Sequence, residues 1–272
     1  MRRVRLALAF LVALTAAGAA AARELRVCAD PRNLPFSNRE GGGFENRIAA
    51  LLAADLGADL TYYWLSQHRG FMRRTIQANE CDVVMGVPTG WPTLATSKPY
   101  YRSSYAFVTP SGQGGAPSSF DDPALGNLRI GLQALGAEGA NTPPAQALAR
   151  RGLFQHVVGY PMWGESSIAD PSGVIVDAVA KREIDVAIVW GPFAGYFAKR
   201  HADTLQVAPV LADPADPALA FAYDMSVGVR KKDTELLTQI DAVLDRRGPE
   251  IRAILLDYGV PLVEKDDGAS TP

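Results

Sequence analysis

Short apolar runs alternate along this chain with longer stretches in which apolar residues recur every three or four positions. That is the pattern of buried strands set between amphipathic helices. Residues 25–29, LRVCA, read as a strand that stops at a loop rich in Pro, Asn and Gly, DPRNLPFSNREGGG. FENRIAALLAADLG then spaces Phe44, Ile48, Leu51, Leu52 and Leu56 along a helix and meets Gly57, a residue suited to end one. LTYYWL alternates as a second strand, and FMRRTIQANE gives a helix carrying Phe71 and Ile76. CDVVMGV is a third strand, almost wholly apolar, as a parallel sheet covered on both faces requires.

The sharpest change of composition is SGQGGAPSS, residues 111–119, and beyond it the plan repeats. LRIGLQ is a strand, and NTPPAQALARRGL a helix with Asn141 or Thr142 as cap and Pro143 in its first turn. HVVGYPMWG reads as strand and loop, and GVIVDAVAKREI as a helix with Ile175, Val176, Val179 and Ile184 on one face. DVAIVWGPFAGYFAKR is a buried strand running into another helix, and FAYDMSVGVRK a late strand that returns to the first half. TELLTQIDAVLDRRGPEIRAILLDYGV supplies C-terminal helices. Two strand–helix series predict an α/β fold of two doubly wound lobes around a central cleft. Lobe 1 is expected at residues 23–110 and 218–263, lobe 2 at 111–217, and a flexible polar tail at 264–272.

The opening of the chain stands apart. Arg2, Arg3 and Arg5 precede an apolar core at residues 6–15, too short to span a membrane, and Ala20, Ala21 and Ala22 offer a small-residue cleavage site. Residues 1–22 are expected to be a signal peptide and the mature chain to work in the periplasm. Removing those three arginines from 27 basic residues leaves 24 against 29 acidic ones, a formal charge of −5. With no basic stripe interleaved with aromatics, nucleic acid is not the expected partner. Export permits a disulfide between Cys28 and Cys81, the only two cysteines, on strands expected to be neighbours. The alternative is two small buried apolar residues.

Catalytic signatures are missing: there is no H-E-x-x-H, G-x-S-x-G, P-loop or G-x-G-x-x-G. His68, His156 and His201 are scattered without ligand spacing, so neither metal nor cofactor is expected. Ligands of doubly wound sheets bind beyond the carboxyl ends of the strands. That rule selects Asp30 with the loop through Asn33 and Phe36, and the stretch after Met85. Trp64, Trp91, Tyr100, Trp163 and Trp190 fall at or beyond strand ends, where aromatics can wall a cleft, although Trp64 and Tyr100 read equally well as core. Trp190, placed before a Gly-Pro turn after DVAIV has filled the core, is the strongest of these. Thr89, Arg102, Gln133 and Asn141 are the remaining polar candidates, joined by Thr142 at a helix start.

Several blocks together resemble one family: RVCADPRNLPFSN, GFENRIAALLAADLG, CDVVMGVP, KPYYRSSYAFV, GANTPPAQALARRG and EIDVAIVWGPFAGYFA. It is the MxaJ/XoxJ group of periplasmic solute-binding-protein-like proteins associated with quinoprotein (PQQ) methanol dehydrogenases. The resemblance runs from Arg26 to Val263 and implies a type II periplasmic-binding-protein fold. It further implies a role beside a PQQ-dependent methanol or alcohol dehydrogenase and its cytochrome c, in maturation or activation rather than uptake. Gln146 stands where the family leads one to expect histidine, and WGESSIADPSG is poorer in proline than the family loop. Gly90 and Trp91 stand where a receptor for amino acids would carry an arginine forked onto the ligand carboxylate. Trp91 and Pro92 are instead expected to shape a broad apolar mouth, open to a peptide segment, a planar cofactor or a metabolite. The competing reading is a receptor that delivers a small solute to an ABC importer. A third is a dehydratase-like enzyme using Asp30 or Glu165 as base.

Overall fold

The computed structural model describes residues 23–112, 117–133, 142–160, 170–201 and 204–264. Strand β1 (Arg23–Ala29) leads through a small hairpin, β2 (Arg32–Asn33) and β3 (Ser37–Asn38), into helix α1 (Phe44–Asp55). Then come β4 (Ala58–Trp64), α2 (Phe71–Arg74), β5 (Val83–Pro88), β6 (Ala95–Thr96) and β7 (Tyr101–Pro110). The second series is β8 (Ile130–Gln133), α3 (Pro143–Arg150), β9 (Val157–Tyr160), α4 (Val174–Ala180), β10 (Val186–Trp190) and α5 (Gly191–Lys199). Strands β11 (Leu205–Pro209) and β12 (Ala222–Val229) precede α6 (Thr234–Asp257).

Sheet order is β4-β1-β5-β12-β7-β10-β8-β9, with β11 also pairing β7 and β6 pairing β12. The outer pairs β4-β1-β5 and β10-β8-β9 are parallel, while β12 and β7 run antiparallel to their neighbours. Strand β7 belongs to both halves. Residues Tyr101 to Ser104 pair with β12, and Tyr105 to Val108 pair with β10. Its partners therefore change between Ser104 and Tyr105, and Trp190 pairs with Tyr105 at that crossing. The structure is the bilobal type II arrangement, with a curled mixed sheet whose middle strands carry the chain across.

Apolar periodicity turns into burial as expected on α1: Phe44, Ile48 and Leu52 are fully enclosed, and Gly57 takes a left-handed φ of +60° just past the helix end. Two elements differ from the expectation. The helix over FMRRTIQANE is split, because Thr75 (φ −116°, ψ −95°) leaves helical geometry and its hydroxyl donates to the Phe71 carbonyl at 2.7 Å. The break lets both Phe71 and Ile76 face the core. The C-terminal helices are one, since α6 continues through Pro249. Ile240, Val243 and Leu244 before it, and Ile251, Ile254 and Leu255 after it, prolong a single buried face. That burial offsets the roughly 3 kcal/mol a mid-helix proline costs. Cys28 and Cys81 are joined, with Cα atoms 5.5 Å apart, beneath a small cluster of Phe71, Ile76, Val84 and Leu94. Among the described residues no helix is long and apolar enough to cross a membrane. The expected tail falls outside the described residues beyond Glu264.

Candidate ligand-binding cleft

The end of β1 organises one wall. Asp30 is buried, and its carboxylate accepts the backbone N–H of Arg32 at 2.8 Å and of Gln67 at 2.7 Å. Its own carbonyl accepts the Ser37 hydroxyl at 2.8 Å, and Asn33 Nδ2 donates to Gln67 Oε1 at 3.1 Å. These bonds tie the loops after β1 and β4 into one edge. They aim Phe36 at both lobes, with its ring 5.0 Å from Phe44 of α1 and 5.1 Å from Phe193 of α5. The opposite wall is the β10–α5 junction, where Trp190 packs edge-on against Tyr105 (5.6 Å) and Tyr223 (5.9 Å).

Between these walls lies a cavity of about 140 Å³, lined by Asn33, Phe36, Glu45, Gln67, Met85, Gly86, Trp190, Phe193 and Met225. Among the described residues Glu45 is its sole ionisable lining group. In the first turn of α1, Glu45 donates its backbone N–H to the Phe36 carbonyl at 3.0 Å, while its side chain opens to the cavity and is otherwise enclosed by protein. Enclosure pushes its carboxyl up from an ordinary 4.5 to about 8, opposed by one long hydrogen bond from the Tyr100 hydroxyl at 3.5 Å. The hydroxyls of Tyr100 and Tyr101 are held well above the phenol range by burial and, next, by the Glu45 charge. Tyr101 faces Trp190, yet its buried hydroxyl makes no hydrogen bond of good geometry. Gly86 has a left-handed φ of +63°, and a Cβ there would sit 2.1 Å from Glu45 Oε1. Only glycine leaves room for the carboxyl.

Asn33, Phe36, Met85 and Trp190 thus line the cavity together, with Asp30 fixing one wall and Tyr100 bonded to Glu45, while the other expected residues that the structure describes do not line it. Trp64 stacks on Tyr62 at 4.6 Å beneath the Arg39 guanidinium. Thr89 Oγ1 is 2.7 Å from Ser226 Oγ, and Arg102 is paired with Asp224 at 3.2 Å. Buried Gln133 donates to the Ser172 carbonyl at 2.8 Å. Thr142 stands at the N-cap of α3 without a side-chain capping bond. Asn141, Trp163 and Glu165 lie outside the described residues. Trp91 does not line the cavity: turns from Pro88 to Trp91 and from Trp91 to Leu94 bury Leu94 and leave Trp91 38% exposed. It borders an open groove of about 410 Å³ beside Phe71 and Met72, which shares Gln67 with the cavity. Glu45, Phe193 and Met225 escaped the sequence reading. The usable signal was Gly86 inside an apolar strand, the mark of a close approach from another group.

No protein-family model matches the chain. Protein MoxJ of Methylorubrum extorquens is 31% identical over 251 residues, covering 88% of this chain and 81% of that protein. The crystal structure of MxaJ from Methlophaga aminisulfidivorans MPT superposes with a TM-score of 0.77 at 28% identity, over 88% of this chain and all of that one. The periplasmic binding protein XoxJ from Methylobacterium extorquens AM1 gives a TM-score of 0.72 at 36% identity, over 89% of this chain and all of that one.

Proposed function

Because the chain belongs to the MxaJ/XoxJ family of periplasmic solute-binding-protein-like proteins, we propose that it serves a PQQ-dependent methanol (alcohol) dehydrogenase in the periplasm. Its task in this reading is to assist maturation or activation of that enzyme, with the enzyme's cytochrome c as a second partner. Likeness over most of the chain to proteins of that family carries the proposal. The cleft supports it by what its lining offers. Among the described residues no arginine or lysine lines the cavity, so the fork that grips an amino-acid carboxylate is missing from those walls. PQQ, a tricarboxylic acid, fits no better against a lone carboxyl group, and in this reading it stays with the dehydrogenase. In this reading the protein is not itself an enzyme; of the two candidate bases, Asp30 has both carboxylate oxygens held by backbone N–H groups, and Glu165 lies outside the described residues.

Two measurements test the proposal. Immobilised protein is expected to retain the dehydrogenase from a periplasmic extract. A strain lacking the protein is expected to contain less active dehydrogenase at an unchanged amount of its polypeptide. Full activity in that strain, together with no association in vitro, would remove the proposal. The small volume of the cavity favours one second reading, a receptor that hands a small solute to an ABC importer. A thermal-shift screen separates the two, since a ligand at 100 times its Kd adds about 2.7 kcal/mol. Under this second reading the deletion strain also fails to take up the solute that scored.

A further inference from the structure

We propose that the cavity between the lobes is a binding site for a small organic monocation of the alkylammonium class, with Glu45 as counter-ion and the rings of Phe36, Trp190 and Phe193 as its cage. Size sets the first limit. A cavity of about 140 Å³ is well under the 300–1,000 Å³ of pockets for drug-sized ligands, and an apolar cavity of about 150 Å³ holds benzene. The occupant therefore has about six non-hydrogen atoms. Charge sets the second limit. Among the described residues the lining carries one carboxyl and no cation, so nothing there balances an anion, and the carboxyl once ionised leaves a site for one positive charge.

Aromatic faces supply the rest. Phe36 and Phe193 meet edge to face at 5.1 Å across the lobes, and Trp190 is fixed by Tyr105 and Tyr223, so three rings are held in place before anything binds. Aromatic faces attract cations, most strongly where water is excluded. Met85 and Met225 add soft, polarisable walls. Asn33 and Gln67, bonded to each other, leave oxygens for N–H donors.

Glu45 makes the site depend on pH. The ionisable groups around it are the hydroxyl of Tyr100 just before β7, which donates to it, and those of Tyr62 on β4 and Tyr101 on β7, which its charge raises. The cavity contributes no other ionisable group from β5, β10 or α5. With its carboxyl raised to about 8, empty Glu45 holds a proton at neutral pH. A cation entering the cage displaces that proton, so affinity climbs with pH until the empty site is itself ionised.

The test uses purified protein alone, so its outcome is separate from that of any dehydrogenase assay. Calorimetric titration with n-butylammonium and tetramethylammonium chloride is expected to show binding of one cation per chain. The apparent Kd should tighten by up to about tenfold per pH unit from 6 to 8 and level off above, with release of about one proton at pH 7 in buffers of different ionisation enthalpy. Glu45→Gln should lose at least about tenfold in affinity together with the pH slope, and Phe193→Leu should lose about threefold to tenfold with the slope retained. Butyrate should not bind, and 1-butanol should bind at least about tenfold more weakly than n-butylammonium. The proposal is overturned if neither cation binds, if 1-butanol binds as well as its charged isostere, or if wild-type binding releases no proton. The proton count is read on wild-type protein and stands even where a variant misfolds.

Discussion

Glu45 in the cleft and Asp213 in the second lobe are both acidic side chains drawn inside the fold, and their surroundings are opposites. Asp213 is fully enclosed and gripped by Arg151 through bonds of 2.5 and 3.0 Å, with Arg150 at 3.9 Å and the Ala215 N–H at 3.0 Å. Those partners hold its carboxyl below the usual range, the Arg151 hydrogen bonds most of all. Elsewhere the pattern repeats: Asp82 lies between Arg26 and Arg230, and Asp55 is clasped by Arg246 and Arg247. Glu45 has only a long contact from a tyrosine. A fold that supplies guanidinium groups to these carboxylates and withholds them from one has given up stability at that place. Such places are where function is expected.

Removing the grip on Asp213 should produce the largest effect. Asp213→Asn leaves Arg151 inside without its main counter-charge, although Asp121 still reaches it at 2.6 Å. A loss of about 3 kcal/mol is expected, the low end for a broken buried pair, read from urea or thermal unfolding at pH 7. Asp213 is held below its ordinary value, so its contribution is present at neutral pH and fades on acidification. The variant and wild type should therefore converge as the pH falls. A loss under about 1 kcal/mol would erase the contrast between the two sites.

Trp190→Ala comes next. The half-buried ring touches Tyr105 and Tyr223, and aromatic pairs are worth about 0.5–1.5 kcal/mol each, so a cost of about 2 kcal/mol is expected. A cost of about 3–5 kcal/mol, as for a core aromatic, would make Trp190 part of the packing rather than of the cleft.

Glu45→Gln should move stability the other way. Between pH 4.5 and about 8 the folded protein keeps the Glu45 proton that the unfolded chain has released, so wild type weakens as pH rises through that window. Each pH unit is worth at most about 1.4 kcal/mol, and water in the cavity screens part of it. The glutamine variant should be even with wild type near pH 4.5 and ahead by about 1–2 kcal/mol at pH 9. Parallel pH profiles would place a charge partner at Glu45 that the contrast denies.

How much of this the sequence carries depends on how local each cause is. The strands LRVCA, CDVVMGV and DVAIVW, the helix start at Pro143 and the repeat of the plan all come from short-range periodicity, and they stand where expected. The crossing of β7 from one half to the other comes from register between distant strands, which no local pattern encodes. Asn33, Phe36, Met85 and Trp190 are legible because strand ends point at ligands. Trp91 misleads because a turn four residues long decides which of two apolar side chains goes in, and Leu94 wins. Glu45 is hidden because a glutamate in the first turn of a helix is ordinary composition. Only the approach of β5 and β7 from elsewhere in the chain converts it into an enclosed acid.

The smallest effect tests whether burial or mere pairing separates the two sites. Arg47 and Asp257 form an ion pair of 2.7 Å, as short as those around Asp213, but with side chains 46% and 65% exposed. In water the attraction of such a pair is nearly cancelled by hydration and by the entropy of holding two long side chains still. Arg47 also lies over the Tyr258 ring at 5.7 Å and keeps that contact when the carboxylate is gone. Asp257→Asn should therefore change stability by less than about 0.5 kcal/mol, and raising salt should shrink even that. A cost approaching that of Asp213→Asn would mean that pairing alone sets the worth of a carboxylate here. The lack of a partner at Glu45 would then be a larger sacrifice than its half-open position implies.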